Sequence, residues 1–293
     1  MESAHPEICT DKLKNYPVFA LEILTKIKDN FPKPLMDFWG KGIVFNFKEW
    51  FLSAQKCALK SGADYLSVYF NIDDKKDIDE ALSLFEFVQK NAEIPLIIRG
   101  SGQKDLDAIF LPKIIENLKK PAIVAFAQDL NYKPIVNSIL KSPIKQDIRL
   151  VLRAPIDINL TKELNLLCMD LGLPVENILM DTDTGCVGMG LDYGYSIIER
   201  LKIAKKDGDS VLNPPVIVFS GEESFKSKES KSDDFKDTRG ELKTRFNTIE
   251  ISTTMALIAA GADVLVCQNP KTIETITSLY LHNKRQTLAG EGL

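Results

Sequence analysis

Along most of the chain, short runs rich in Val, Ile, Leu and Phe alternate with longer stretches in which apolar residues recur every three to four positions. The short runs predict strands, because β-branched and aromatic side chains suit a pleated surface; the longer ones predict helices with one buried face. Candidate strands are Pro17–Leu24, Asp64–Phe70, Pro95–Gly100, Ala122–Ala127, Ile148–Ala154, Asn177–Asp181, Pro215–Ser220 and Ala262–Cys267. Segments such as KEWFLSAQKCALKS, IDEALSLFEFVQKN and RFNTIEISTTMALIAAG supply helices between them. Four helix-to-strand joints carry Gly or Pro where a helix must stop: SGAD before the second strand, IP before the third, KP before the fourth and AGAD before the last.

Eight βα units in 293 residues fit a single-domain α/β fold, a closed (β/α)8 TIM barrel, better than an open doubly wound sheet. No GxGxxG follows the first strand, which weakens a dinucleotide fold further. The expected organisation is an N-terminal segment at 1–16, a barrel over 17–283 and a tail at 284–293. Two connections, 25–47 and 222–244, are long for βα loops. GIVFNF, from Gly42, reads as part of the first. The second, ESFKSKESKSDDFKDTRGELKT, is charged and poor in apolar residues in its middle, and reads either as a solvated excursion or as a contact loop.

Charge and rare residues narrow the chemistry. A formal net charge of -4, with no basic stripe interleaved with aromatics, disfavours nucleic acid as a partner. The N-terminus has no apolar core of a secretory signal, and no window approaches eighteen apolar residues, so a cytoplasmic protein without membrane contact is expected. Cys9, Cys57, Cys168, Cys186 and Cys267 are far apart and form no CxxC pair, which argues against an iron-sulfur or zinc site made by this chain alone. His5 and His282, near the two ends, are the only histidines, which removes most routes to histidine catalysis or metal ligation.

In such a barrel the site forms from loops at the carboxyl ends of the strands. The residues there include Asn71 and Asp73; Gly100, Ser101 and Gly102; Gln128, Asp129 and Asn131; Asp157 and Asn159; Asp181 through Gly190; and Gly221 and Glu222. The set is rich in amides, hydroxyls and glycines, with single carboxylates and no nucleophile beside a base, so no catalytic residue is assigned. Glycine lets backbone approach a wide ligand closely and amides orient it without charge, which suits a large ligand displaying amides.

The segment APIDINLTKELNLL…NILMDTDTGCVGMGLDYGYSIIERLKIAKKDGDSVLNPPVIV resembles the small (delta) subunit of the corrinoid iron-sulfur protein and of the acetyl-CoA decarbonylase/synthase complex. The matching residues are Pro155, Asp157, Ile158, Asn159, Lys162, Leu164 and Asn165; then Asp181, Gly185, Gly188, Gly190, Tyr193, Ser196, Glu199 and Arg200; then Gly208, Asp209, Pro215, Val216 and Ile217. Fainter matches such as PVFALEI, PLIIRGSG and RGELKTRFNTIEISTTMALIAAGADVLV extend almost to both ends. The run departs from the family pattern at Thr182, Met189, Asp192 and Ile198, and the loop after the seventh strand is rich in Lys and Ser where relatives carry aromatics.

This resemblance implies a TIM-barrel subunit, paired as a heterodimer with a larger iron-sulfur subunit, that caps a shared corrinoid (cobamide) and itself holds no iron-sulfur cluster. The assembly carries a methyl group in the reductive acetyl-CoA (Wood-Ljungdahl) pathway of carbon fixation, meeting a pterin methyltransferase and acetyl-CoA synthase transiently. Cofactor contacts would fall on Ser101, Gln128, Asn131, Asp157, Asn159, Asp181, Thr184, Gly185, Gly188, Gly190 and Tyr193. The alternative is a methyl-tetrahydropterin:corrinoid methyltransferase of similar barrel fold, with Asp157, Asn159 and Asp181 on the pterin; a blander one is an assembly subunit without ligand contact.

Overall fold

The computed structural model describes residues 16–27, 29–183 and 190–290, with side chains up to residue 280. Eight parallel strands are present: β1 (Val18–Leu24), β2 (Tyr65–Tyr69), β3 (Leu96–Arg99), β4 (Ala122–Ala127), β5 (Ile148–Arg153), β6 (Ile178–Asp181), β7 (Ile217–Val218) and β8 (Val264–Cys267). They pair in the order β6-β5-β4-β3-β2-β1-β8-β7. A parallel bridge between Met180 and Val216, with the Met180 N–H donating to the Pro215 carbonyl at 2.8 Å, joins β6 to β7. The sheet is therefore a closed (β/α)8 barrel, as the alternating pattern predicts. β7 is shorter than expected because Pro214 and Pro215 have no N–H to donate and a helix begins at Ser220.

The helices are α1 (Lys33–Trp39), α2 (Lys41–Val44), α3 (Phe47–Ser61), α4 (Ile78–Asn91), α5 (Lys104–Asn117), α6 (Tyr132–Lys141), α7 (Ile158–Asp170), α8 (Leu191–Lys206), α9 (Ser220–Ser224), α10 (Lys236–Arg239), α11 (Leu242–Ala260) and α12 (Pro270–Gly290). The two GAD joints work alike. Gly62 after α3 (φ 87°) and Gly261 after α11 (φ 110°) end their helices in the left-handed conformation that glycine adopts without a Cβ penalty. The Asp that follows then ties the base of the barrel: Asp64 accepts from the Phe19 N–H at 3.0 Å, and Asp263 from the Val216 N–H at 2.7 Å.

Period-two alternation divides the core. Phe19, Leu21 and Ile23 of β1, Ile98 of β3 and Leu150 and Leu152 of β5 face the helices. Ala20, Tyr65, Ile97, Val151 and Leu179 fill the lumen. Two residues further along the same strands, on the same face, stand Glu22, Ser67, Arg99, Arg153 and Asp181. The lumen is apolar below and ionic at the carboxyl end, where loops meet solvent.

Both long connections are built from short helical pieces. Residues 25–47 contain α1 and α2, which bury Leu35, Trp39 and Val44; Trp39 and Phe31 each meet Trp50 edge-on. GIVFNF is accordingly helix α2 and its exit, not a strand. The 222–244 segment is not simply solvated. Arg245 of α11, itself buried, donates to the carbonyls of Glu229 at 3.0 Å, Ser232 at 2.5 Å and Gly240, collecting three points of the charged stretch around one guanidinium. Arg245→Leu is expected to leave the far-ultraviolet circular dichroism unchanged while limited trypsin cleaves within 226–241 severalfold faster. Unaltered cleavage would show that the segment holds itself.

Candidate functional site

The ionic layer at the barrel mouth is organised around two arginines. Arg99, at the end of β3 and 2% exposed, donates from Nη1 to both Glu22 oxygens at 3.0 Å and from Nη2 to Glu222. Glu22, which is buried, also accepts from Ser67 Oγ at 3.1 Å and from Gln268 Nε2 at 3.0 Å, so its lone pairs are matched within the protein. The Arg99 guanidinium lies over the Tyr69 ring at 4.0 Å. Arg153, at the end of β5, donates to Asp181 Oδ2 from Nε at 2.7 Å and from Nη2 at 2.6 Å, and lies 3.5 Å from the centre of the Phe126 ring. Phe126 and Phe219 meet edge-to-face at 4.7 Å, and both guanidiniums pack against this aromatic pair.

Charge and burial set the protonation states. Burial raises the Glu222 pKa, but Arg99, Arg153 and Lys226 outweigh it and hold the carboxyl at about 2. Burial opposes the charge on Arg99, and Glu22 with Glu222 more than restore it. For Asp181, burial dominates over the pull of Arg153 and leaves the carboxyl above its ordinary value. Behind β8, Glu250 is fully buried: Oε1 accepts from the Gln268 N–H at 2.8 Å and Oε2 from Thr272 Oγ1, yet burial raises its pKa to about 7. Ser220, Thr254 and Cys267 cluster nearby, with Thr254 Oγ1 donating to Ser220 Oγ at 2.9 Å and Cys267 Sγ 3.6 Å from Ser220 Oγ. Burial drives the Cys267 thiol well above its ordinary value, so it is a packed thiol and not a nucleophile. Among the described residues, no three His, Cys, Asp or Glu side chains converge to hold a metal ion.

The residues singled out in the sequence fall on the rim over β3 to β6, and most shape their own loops. Asp107 of α5 accepts from the Ser101 N–H and Oγ and from the Gly102 N–H, each at 2.8 Å, and the Tyr69 hydroxyl donates to the Ser101 carbonyl at 3.2 Å. Asn131 is buried and its Oδ1 accepts from the Gln128 N–H at 2.7 Å. Asp157 caps α7, accepting from the Asn159 N–H at 2.8 Å and the Leu160 N–H at 3.1 Å, and Asn159 is exposed. Asp181 is bound to Arg153 and also accepts from the Asp183 N–H at 2.9 Å. Gly190, at φ 110°, opens α8, where a Cβ would run into the Asp192 carboxylate. Thr184, Gly185 and Gly188 lie outside the described residues.

Above these loops the rim displays large apolar side chains to solvent: Leu130 (73% exposed) after β4, Ile156 (38%) after β5 and Tyr193 (59%) in the first turn of α8, after β6. Ile156 sits at φ 41°, a left-handed conformation unfavourable for a β-branched residue, and its N–H donates to the Thr182 carbonyl at 2.8 Å. Sequence reasoning missed Glu22, Arg99 and Arg153, which lie within strands, and Glu250, which lies in α11, because it looked only past the strand ends; it missed Gln268, directly after β8, because it considered no residue beyond the eighth strand. The signal was available: each strand charge stands two residues beyond an apolar lumen position.

In fold, the chain is similar to Yersinia pestis dihydropteroate synthase in a sulfonamide drug complex (TM-score 0.62, 9% identity, 94% of this chain and 96% of that one). It is equally similar to the 7,8-dihydropteroate synthase of Vibrio fischeri (TM-score 0.61, 11% identity, 94% of each). In sequence it is similar to the acetyl-CoA decarbonylase/synthase complex subunit delta of Methanocaldococcus jannaschii, 26% identical over 90% of this chain, and to that of Archaeoglobus fulgidus, 28% identical over 81%. The chain spans 64% and 53% of the length of these curated relatives. The family model for the CO dehydrogenase/acetyl-CoA synthase delta subunit matches residues 11–287, almost the whole barrel and its flanks, and the chain belongs to that family.

Proposed function

We propose that this chain is the small barrel subunit of a corrinoid iron-sulfur protein, a cytoplasmic methyl carrier of the reductive acetyl-CoA pathway, and that its β4–β6 rim caps a cobamide shared with a larger iron-sulfur subunit. The observation that carries the reading is Ile156. A β-branched residue held at φ 41° with its side chain turned toward solvent costs about 1–3 kcal/mol, and such strain concentrates where a surface is shaped to meet something else. Leu130 and Tyr193 stand on the adjoining loops, so the rim offers apolar contact to the face of a broad macrocycle.

The donor set fits such a group. Gln128 and Asn159 would supply amides for the amide-bearing edge of a corrin ring, and Gly190, at the start of α8, would let backbone come close to it. A bound cobamide supplies the metal that takes up and gives away a methyl group. This chain would bind and orient its edge, exclude water from one face and present no ligand to the metal. Arg153 and Asp181, locked together under the rim, hold β5 and β6 in register beneath that surface. The methyl-tetrahydropterin:corrinoid methyltransferase reading has less support, because Asp181 is engaged by Arg153 and Asp157 by its helix cap.

Ile156→Gly separates strain from contact. Glycine tolerates the left-handed backbone, so the variant is expected to gain about 1 kcal/mol in urea unfolding. Co-expressed with a large subunit, it should nonetheless retain severalfold less corrinoid, read from visible absorbance of the purified heterodimer. Leu130→Asp, at an exposed position, should lower retention without moving the melt. Full retention in both variants, or a stable wild-type heterodimer that never takes up corrinoid, would sink the proposal. Gly190→Val is a poorer probe, since its φ of 110° makes any side chain there strained. Saturable binding of methyl-tetrahydropterin to the isolated chain by calorimetry would favour the methyltransferase instead.

A further inference from the structure

Across the mouth from the β4–β6 rim lies a cavity of about 210 Å³ between the loops that follow β1, β2, β7 and β8. Its walls come from the two long connections, which the corrinoid reading leaves without a task. Phe31 and Phe225 supply aromatic faces, and neither can swing freely: Phe31 meets Trp50 edge-on at 5.9 Å and Phe225 is stacked on Phe246 at 4.1 Å. The floor is the buried ionic layer, with Tyr69 under the Arg99 guanidinium and Gln268 bound to Glu22.

One of the cations lining the cavity is without an ion pair among the described residues. Glu222 is held by Arg99, and Lys226 is paired with Glu223 at 2.5 Å. Lys231, a half-buried wall residue, has no carboxylate partner among the described residues, and burial lowers its pKa. Its place is fixed from behind, because Arg245 binds the carbonyls of Glu229 and Ser232 on either side of it. Lys231 thus brings an ammonium without a carboxylate partner to the wall of a solvent-open cavity that Phe31 and Phe225 also line, where an anion would pair with it. Asn71 and Gln268 add amide groups at the opposite edge.

We infer that this cavity is a second binding site, for a small planar anion: an aromatic or conjugated carboxylate of about ten non-hydrogen atoms. The size follows from volume, since an apolar cavity of about 150 Å³ accommodates benzene and this one is larger by room for a carboxylate. The ring lies between Phe31 and Phe225, and the carboxylate meets Lys231. The site does not rest on the corrinoid proposal, shares no residue with that rim, and would stand if that proposal failed.

Benzoate and its neutral isostere benzamide test it, titrated against the isolated chain and followed by saturation-transfer NMR. Benzoate should bind at least tenfold more tightly than benzamide. Lys231→Met should abolish that preference and leave benzamide binding as it was, and Arg245→Leu should weaken the preference because the lysine loses its support. Circular dichroism of both variants reports whether the fold is intact. Absence of binding by either probe, equal affinity for the two, or a benzoate preference that persists in Lys231→Met would each overturn the assignment.

Discussion

Arg99→Met is expected to destabilise the protein by about 3–5 kcal/mol, seen as a lower urea midpoint at unchanged slope. The arginine is the cation of a buried carboxylate pair: removing it leaves Glu22, which is buried, with only Ser67 and Gln268 as donors, and detaches Glu222 from the barrel floor. Methionine fills much of the volume between Tyr69 and the Phe126–Phe219 pair, so most of the loss reports uncompensated charge and not a cavity. The double variant Glu22→Leu/Arg99→Met should recover a large part of it, since an apolar pair of similar volume tolerates burial better than one orphaned ion. The pH profile offers an independent readout. Glu222, held at about 2 in the fold against an ordinary value of 4.5, contributes stability that is present above 4.5 and lost as pH falls towards 2. That acid-side slope should be shallower in Arg99→Met, where Arg153 and Lys226 alone remain. A single variant within about 1 kcal/mol of wild type would mean that solvent reaches the pair and screens it.

Arg99 also shows how much of the molecule could be read from its sequence. The eight strands follow from local composition alone, because each is a short β-branched or apolar run bounded by Gly, Pro or a polar turn, and closure follows from the number of βα units. The rim followed equally, since site residues of a barrel lie past the strand ends. What those residues do did not follow. Asp157 looks the same in sequence whether it caps a helix or grips a ligand, and only the Asn159 and Leu160 N–H groups pointing at it separate the two. Ser101 and Asn131 are likewise committed to loop geometry by partners several residues away. The ionic floor was legible in principle from strand alternation, but Glu22 and Arg99 are 77 residues apart and their pairing depends on the way the barrel brings β1 and β3 to one mouth. The 222–244 segment stayed open between a solvated excursion and a contact loop because its anchor, Arg245, lies outside it.

Replacing Glu250 with Gln is expected to flatten the pH dependence of stability between about 5 and 8. In the folded barrel burial raises this carboxyl to about 7, against an ordinary value of 4.5, so the native state binds a proton more tightly than the unfolded chain does. The sign follows directly: stability attributable to this group is full below 4.5 and declines as pH rises through 7, by roughly 3 kcal/mol in all at 1.36 kcal/mol per unit. Urea unfolding of wild type at pH 5.5 and pH 8.5 should therefore differ by a large part of that amount, with the alkaline sample weaker. Glu250→Gln keeps an oxygen for the Gln268 N–H and cannot ionise, so its two curves should lie closer together and cross above wild type at pH 8.5. Parallel pH profiles for the two proteins would show that Glu250 is ionised throughout and stabilised by its donors, the Gln268 and Asn269 N–H groups and the Thr272 hydroxyl. The effect reaches the mouth through a short path: Gln268, whose N–H meets Glu250, donates its side chain to Glu22, which holds Arg99 and through it Glu222 at the wall of the cavity. A charge gained at Glu250 above pH 7 places two buried carboxylates on either side of one glutamine, so the floor beneath the cavity should loosen over the same pH interval in which the protein loses stability.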